Sequence, residues 1–154
     1  MLQPKFGAVL ALGMLTILGG RSSADTSVTS EAAALTIRIE NVSKAGGYVR
    51  VAIYDRTTYE GHDQNPVADA TIDATAPETV LTLPKLRPGE YAVKMYQDIH
   101  RSGAFATSRL GLPEEPFGFS NDARPLLDQP SFDAAKFRLS RGANEITVHL
   151  HGLL

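Results

Sequence analysis

Apolar residues alternate with polar ones in several short stretches of this chain, and this period of two constrains the fold most strongly. Residues 35–40 and 49–54 show it clearly, which is typical of β-strands with one buried face. The turn between these two stretches predicts that they form a hairpin. Shorter or weaker versions follow at residues 68–73, 81–83, 91–95, 136–139 and 146–150.

No long segment has the 3.6-residue period of a helix, although residues 134–136 have room for one helical turn. Short strands separated by turn signals favour an all-β fold. We therefore predict an antiparallel β-sandwich of six to eight strands, immunoglobulin-like or transthyretin-like, with one long loop.

That loop is the segment Asp98–Asp122, which is rich in Gly and Pro and holds three of the six Phe residues. Long loops on a rigid scaffold are common sites of function. We therefore expect the binding residues to lie here. The candidates are Asp98, His100, Ser102, Glu114 and Glu115.

The first 24 residues have the layout of a secretory signal peptide. Lys5 precedes the apolar run Phe6–Leu18, and the small residues of Ser22–Ala24 suit a cleavage site. An uncleaved anchor is the alternative. We expect residues 1–24 to be removed, 25–33 to form a flexible leader and 34–154 to form one β-sandwich domain, in a periplasmic or secreted protein without further membrane insertion.

The composition excludes several classes of function. Once Lys5 and Arg21 leave with the signal, 13 of the 15 basic residues remain against 17 acidic ones. This acidic balance disfavours nucleic acid and anionic membranes as partners. The chain has no Cys, which excludes disulfides, thiol catalysis and cysteine metal sites.

Two segments carry a resemblance to a bacterial family. Residues 83–98 (LPKLRPGEYAVKMYQD) and 110–122 (LGLPEEPFGFSND), followed by Pro130, Phe132, Ala135 and Phe137, are similar to the domain of unknown function 2141 family. The resemblance covers roughly residues 35–150. It implies an exported immunoglobulin-like or transthyretin-like β-sandwich, and it implies no established activity.

The resemblance also bears on a possible ion site. In the family, the strand commonly continues into a segment resembling D-x-N-x-N-G-x-x-D, a spacing that suits Ca²⁺ loops. This chain retains Asp98 and Gly103, but His100 and Ser102 replace the two Asn residues. Calcium requires six to eight oxygen ligands. We therefore expect no cofactor, with a divalent ion held by Asp98 and a nearby glutamate as the alternative.

No catalytic arrangement is complete. Asp98 and His100 suit a general base, but no G-x-S-x-G elbow surrounds Ser102. Glu114 and Glu115 are adjacent, whereas the acid and base of a glycosidase face each other across the bond that breaks. We expect a protein that is not an enzyme. A hydrolase on a transthyretin-like fold is the alternative.

Two histidines near the end of the chain, His149 and His151, flank Leu150. Alternation predicts that Leu150 is buried and that both histidines point to the opposite face of the strand. Such a pair suits a transition metal but supplies only two of the four ligands of a structural zinc site. Two solvent-facing histidines are therefore the favoured interpretation.

The aromatic residues allow two interpretations. Phe117, Phe119, Phe132 and Phe137 are expected to plug one end of the sandwich, because an exposed patch of this size is unusual. Lining a ligand groove is the alternative. Tyr91 follows a Pro-Gly turn, and we expect its hydroxyl to bond back to that turn.

The leading hypothesis is an exported, non-enzymatic binding module of the cell envelope that acts through the Asp98–Asp122 loop. Its partner would be a protein, a peptide or a glycan, and an open edge strand offers a second binding mode. An ion-stabilised accessory module is the second hypothesis.

Overall fold

The computed structural model describes residues 32–63 and 65–152. The expected signal peptide, and the expected leader up to residue 31, lie outside the described residues. The strands and short helices are, in chain order, β1 (Ala33–Glu40), β2 (Tyr48–Tyr54), α1 (Arg56–Glu60), β3 (Ala68–Asp73), β4 (Glu78–Leu86), β5 (Gly89–Asp98), β6 (Phe117–Phe119), α2 (Phe132–Ala135), β7 (Phe137–Leu139) and β8 (Gly142–His149).

The strands form two sheets that enclose one main core, which confirms the all-β sandwich. One sheet has three strands in the order β4–β1–β8, and the other has five, with β3–β2–β5–β6 in sequence and β7 paired with the start of β5. Apolar side chains from both sheets meet between them, as the alternation predicts. The fully buried ones include Leu35, Ile37, Ile39, Val49, Val51, Ile53, Val93 and Val148.

The predicted hairpin between β1 and β2 is wrong, because the two strands lie in different sheets. The connection crosses from one sheet to the other and is held by Gln97 of β5, whose side chain accepts from Ser43 N at 2.8 Å and donates to Gly46 O at 2.7 Å. Gly47 is in the left-handed region with φ of +88° and lies against the β5 backbone. Alternation indicates which face of a strand is buried, but not which strand is its neighbour.

Strand direction also differs in one place from the prediction of an antiparallel fold. β1 pairs with β4 in the antiparallel direction, but it pairs with β8 in parallel along its whole length. The pairs in the five-stranded sheet are antiparallel.

The expected tyrosine contact is confirmed. The hydroxyl of Tyr91, near the start of β5, donates a hydrogen bond to the carbonyl of Arg87 at 2.9 Å. This bond fixes the turn before β5. β5 in turn runs through the centre of the five-stranded sheet and ends where the long loop begins.

A second, smaller cluster covers part of the outer face of the five-stranded sheet, where Tyr54 and Ala92 are paired. Tyr59 of α1 and Phe132 of α2 are buried, and their ring centroids are 5.6 Å apart. The Tyr59 hydroxyl donates to Pro130 O at 2.7 Å. Asp55 begins α1 with a capping box that it shares with Thr58. The cluster therefore anchors both helices to the sheet.

Candidate functional site

The long loop begins directly after β5, and the last residue of that strand anchors it. The Asp98 side chain is fully buried, and its Oδ2 accepts hydrogen bonds from Arg50 Nε at 2.8 Å and from Gly103 N at 2.9 Å. Its Oδ1 accepts from Ser102 N at 2.8 Å. Burial raises the pKa of the Asp98 carboxyl, but these hydrogen bonds outweigh burial and lower it to about 2. Asp98 is therefore an ionised anchor for the first turn of the loop.

Glu115, near the other end of the loop, is a second buried anchor. Its Oε1 accepts from Ile99 N and its Oε2 accepts from Ala106 N, each at 3.1 Å. The side chain is 2% exposed. One carboxylate thus ties the start, the middle and the end of the loop together.

The tip of the loop is a small hairpin that projects beyond these anchors. Thr107 and Pro113 form an isolated β-bridge, and Ser108 N donates to Leu112 O at 2.8 Å. Leu112 and Leu110 are exposed at this tip.

Between the two anchors, Phe105 returns to the outer face of the five-stranded sheet. Its ring centroid lies 5.2 Å from that of Tyr96 on β5 and 6.0 Å from that of Phe117 on β6. Phe117 lies 6.2 Å from Phe119 on the same strand. Four aromatic side chains therefore form a continuous row, and the Asp98–Asp122 loop supplies three of them, two from β6 and Phe105 from the irregular part.

This aromatic row is one wall of a groove of about 350 Å³ on the outer face of the sheet. Polar side chains of β2 and β3 lie across from it, namely Arg50, Asp69 and Thr71. In the pairing register, Ala52 of β2 lies between Asp69 of β3 and Lys94 of β5. Its short side chain leaves room where the neighbouring side chains on this face are large. We call this feature the aromatic groove.

The two cations of the aromatic groove are both held in position. Lys94 Nζ donates to Gln129 Oε1 at 2.6 Å and lies 4.5 and 4.2 Å from the ring centroids of Tyr54 and Tyr59. Burial lowers the pKa of the Lys94 ammonium. At the other end, the hydrogen bond to Asp98 raises the pKa of Arg50. The groove therefore presents positive charge on side chains whose positions are fixed.

A comparison with protein-family models identifies the chain. The family described as "Uncharacterized protein conserved in bacteria (DUF2141)" matches residues 37–147. The chain belongs to this family. The match confirms the resemblance found in the sequence, and it spans both the loop and the aromatic groove of this DUF2141 protein. Neither the curated proteins nor the solved structures contain a match to it.

The five predicted site residues of this DUF2141 protein do not meet at one point. Asp98 and Glu115 are buried and hold the loop from inside, and Ser102 is bonded to Asp98. His100 and Glu114 have exposed side chains. The loop therefore contributes to the groove through Phe105, Phe117 and Phe119 rather than through its polar residues.

The four Phe residues of the expected plug do not gather at one end of the sandwich. Phe132 is buried in the cluster on the outer face of the five-stranded sheet, and Phe137 packs against the main core. Phe117 and Phe119 instead line the aromatic groove, because the register of β6 with β5 places them beside Tyr96 and Lys94. These two residues therefore line a groove, as in the alternative interpretation, and do not plug the sandwich.

The histidines of β8 and its extension lie apart from the groove. Leu150 is buried, as predicted. His149 Nδ1 lies 2.8 Å from Asp122 Oδ2, and its Nε2 lies 3.2 Å from Glu40 Oε2. Burial lowers the pKa of His151, whose Nε2 has no hydrogen-bond partner among the described residues. His149 thus links β1 to the turn at residues 120–122.

The described residues also bear on the possible metal site and on the possible crossing of a membrane. Within residues 32–63 and 65–152, no group of three or more His, Asp or Glu side chains is placed to hold a metal ion. The same residues include no helix with the length and apolar character that crossing a membrane requires.

Among the residues that line the groove, Phe117 and Phe119 were candidates for such a position from the sequence, but the others were not. Arg50 and Lys94 occupy polar positions of two predicted strands, and alternation places each on the outer face of its own strand without showing that the two strands are neighbours. Phe105 gave no comparable signal, because its position depends on how Asp98 and Glu115 close the loop.

Proposed function

We propose that this protein is an exported, non-enzymatic binding protein that holds one sugar residue of a glycan in the aromatic groove. The observation that carries the proposal is the difference between the two sides of the groove. Aromatic rings line one side, and a guanidinium, a carboxylate and a hydroxyl line the other. A sugar ring has a face of C–H groups and an edge of hydroxyl groups, and it matches both sides at once.

The size of the groove supports a small ligand unit. Ligand pockets enclose about 300–1,000 Å³ and combine apolar walls with a few placed polar groups. The aromatic groove, at about 350 Å³, lies at the lower end of that range. It also opens to solvent along the sheet, so a longer chain can continue beyond the bound unit.

The geometry of the loop supports binding rather than catalysis. Asp98 donates no proton at neutral pH, and both of its oxygens accept hydrogen bonds from Arg50 and the loop backbone. Glu115 is engaged with two backbone N–H groups. The two buried carboxylates of the loop therefore keep Phe105 in place, which preorganises the groove.

Export rests on the sequence of the first 24 residues, with its single early cation, apolar run and small-residue cleavage site. Detection of the chain in periplasmic or culture-medium fractions, with a new N-terminus at Asp25, tests it. Retention of the full-length chain in the cytoplasm would contradict it.

The binding proposal is tested by calorimetric titration against a panel of cell-envelope oligosaccharides. Phe105→Ala removes part of the aromatic wall, while Leu110→Ala removes an exposed side chain of the same loop. An aromatic contact contributes about 0.5–1.5 kcal/mol. Phe105→Ala should therefore weaken binding by about 2- to 13-fold, and Leu110→Ala should leave the Kd unchanged.

Equal Kd values for the two variants would contradict the groove as the binding site. Binding of none of the oligosaccharides, together with binding of a peptide that is lost in Phe105→Ala, would keep the groove and replace the ligand. Hydrolysis of a panel member that disappears with His100→Ala would overturn the non-enzymatic assignment.

A further inference from the structure

β3 is an open edge of the five-stranded sheet. In the described part of the chain, it pairs with β2 on one side and with no strand on the other. The edge strand β4 of the other sheet is interrupted by Pro84 and by Lys85, which has a φ of +64°. Pro and irregular backbone are common means of protecting an edge. The six residues of β3 include neither Pro nor Gly.

The register of the sheet determines which backbone groups of β3 point outward. Ala74 N donates to Gly47 O at 3.0 Å, one step beyond the last pair in the β2–β3 register. Hydrogen-bonded pairs alternate along an antiparallel ladder. The N–H and C=O groups of Asp69, Thr71 and Asp73 therefore point away from β2.

The side chains of β3 divide between two faces. Asp69, Thr71 and Asp73 are exposed on the outer face. Their neighbours Ala70 and Ile72 face the sandwich and pack partly buried against the main core. An added strand would meet two carboxylates on one face and an incompletely covered apolar margin on the other.

We propose that the β3 edge binds an extended peptide segment of a partner protein with the pattern basic–apolar–any–apolar–basic. The two basic side chains, four positions apart, would lie opposite Asp69 and Asp73, because opposed charges across paired strands stabilise the pair. The apolar side chains would cover Ala70 and Ile72. Asp69 and Thr71 also line the aromatic groove, but this inference rests on the backbone groups and charges of the sheet edge and does not involve the aromatic row.

A second copy of the chain fits this edge poorly. Antiparallel pairing of β3 with itself, centred on Thr71, places Asp69 of one copy opposite Asp73 of the other. Like charges in directly opposed positions are destabilising. The same charges that oppose self-pairing favour a basic partner strand. Arg101 lies 3.5 Å from Asp73 in an exposed ion pair. A basic residue of the partner would therefore take the place of Arg101 in a contact that is already exposed to solvent.

The test is an NMR titration of the full, ¹⁵N-labelled chain with two capped peptides, Lys-Val-Thr-Val-Lys and Glu-Val-Thr-Val-Glu. The basic peptide should bind and should slow hydrogen exchange at the amides of Asp69, Thr71 and Asp73. The acidic peptide has the same β-propensity between its charges and should not bind. Affinity for the basic peptide should fall as salt is raised.

Two variants separate backbone pairing from charge. Thr71→Pro removes one outward N–H at a position where an edge strand tolerates Pro, and it should abolish binding while the rest of the amide spectrum is retained. The double substitution Asp69→Asn with Asp73→Asn leaves the backbone groups in place. It should weaken binding by about 2- to 30-fold, from two charge pairs.

Three results would overturn the proposal. The first is equal binding of the two peptides, and the second is protection of amides that lie outside β3. The third is an unliganded chain that is a dimer and that Thr71→Pro converts to a monomer. Phe105→Ala serves as the control, because loss of the aromatic wall should leave peptide binding at the β3 edge unchanged. Failure of glycan binding therefore does not affect this result.

Discussion

The two adjacent glutamates of the loop provide a matched test of the anchoring role. Glu115 is 2% exposed and accepts from Ile99 N and Ala106 N. Glu114, its neighbour, has an exposed side chain. Substitution of each by Ala removes the same chemical group from the same segment. Only Glu115→Ala leaves two backbone donors of the loop without their acceptor.

The expected magnitude follows from those two donors. A buried polar group that loses its hydrogen-bond partner costs about 1–3 kcal/mol. Two such groups give about 2–6 kcal/mol for Glu115→Ala, toward the lower end where water reaches the emptied site. An exposed substitution away from such contacts changes stability by less than about 0.5 kcal/mol. The two variants should therefore differ by at least about 1.5 kcal/mol.

Urea unfolding followed by far-ultraviolet circular dichroism measures this difference, and tyrosine fluorescence provides a second probe because the chain has five Tyr and no Trp. Hydrogen exchange at the amides of Ile99 and Ala106 should accelerate in Glu115→Ala alone. Equal unfolding midpoints for Glu115→Ala and Glu114→Ala, with unchanged exchange, would refute the role of Glu115 as an anchor.

Three further predictions test the neighbourhood of the loop. Since the folded-state pKa of Asp98 is about 2, below the ordinary value of 3.8 for an Asp carboxyl, the stability that ionised Asp98 contributes is present above about pH 4 and is lost as the pH falls through about 2. The difference in unfolding free energy between wild type and Asp98→Asn, measured by urea titration, should narrow over that interval, and a difference independent of pH would contradict this. Gly46→Ala should cost about 1–2 kcal/mol for a left-handed backbone, whereas Gly47→Ala should cost clearly more, because its Cβ would lie 2.2 Å from Asp98 O; equal unfolding midpoints would argue against the close approach. EDTA and added Ca²⁺ or Zn²⁺ should leave the Tm unchanged, because the Asp98 oxygens already accept hydrogen bonds; a rise in Tm with an ion would indicate a bound metal.

The alternation of residues predicts the strands well, because each strand buries one face. The predicted strands at residues 49–54 and 91–95 fall on β2 and β5, and their polar positions carry the groove residues Arg50 and Lys94. Pairing between strands was predicted less well. The β1–β2 hairpin is replaced by a crossover that Gln97 holds through a contact 54 residues away in sequence, and no local pattern encodes such a contact.

The loop shows the same limit at the scale of single residues. Glu114 and Glu115 are indistinguishable by type and position, yet one is exposed and the other holds three parts of the loop together. Phe132 is buried beneath the short helices on the outer face of the sheet, whereas Phe117 lines the groove. In each case the outcome depends on how the loop closes over the sheet, which is determined by long-range hydrogen bonds rather than by the local pattern.

The proposed ligand site, which the loop and the sheet form together at the aromatic row, can be observed by NMR in the complex of the full chain with the tightest-binding oligosaccharide of the panel. Binding at this row should give nuclear Overhauser effects between sugar C–H protons and the ring protons of Tyr96, Phe105 and Phe117. Contacts confined to other surfaces of the protein would contradict it.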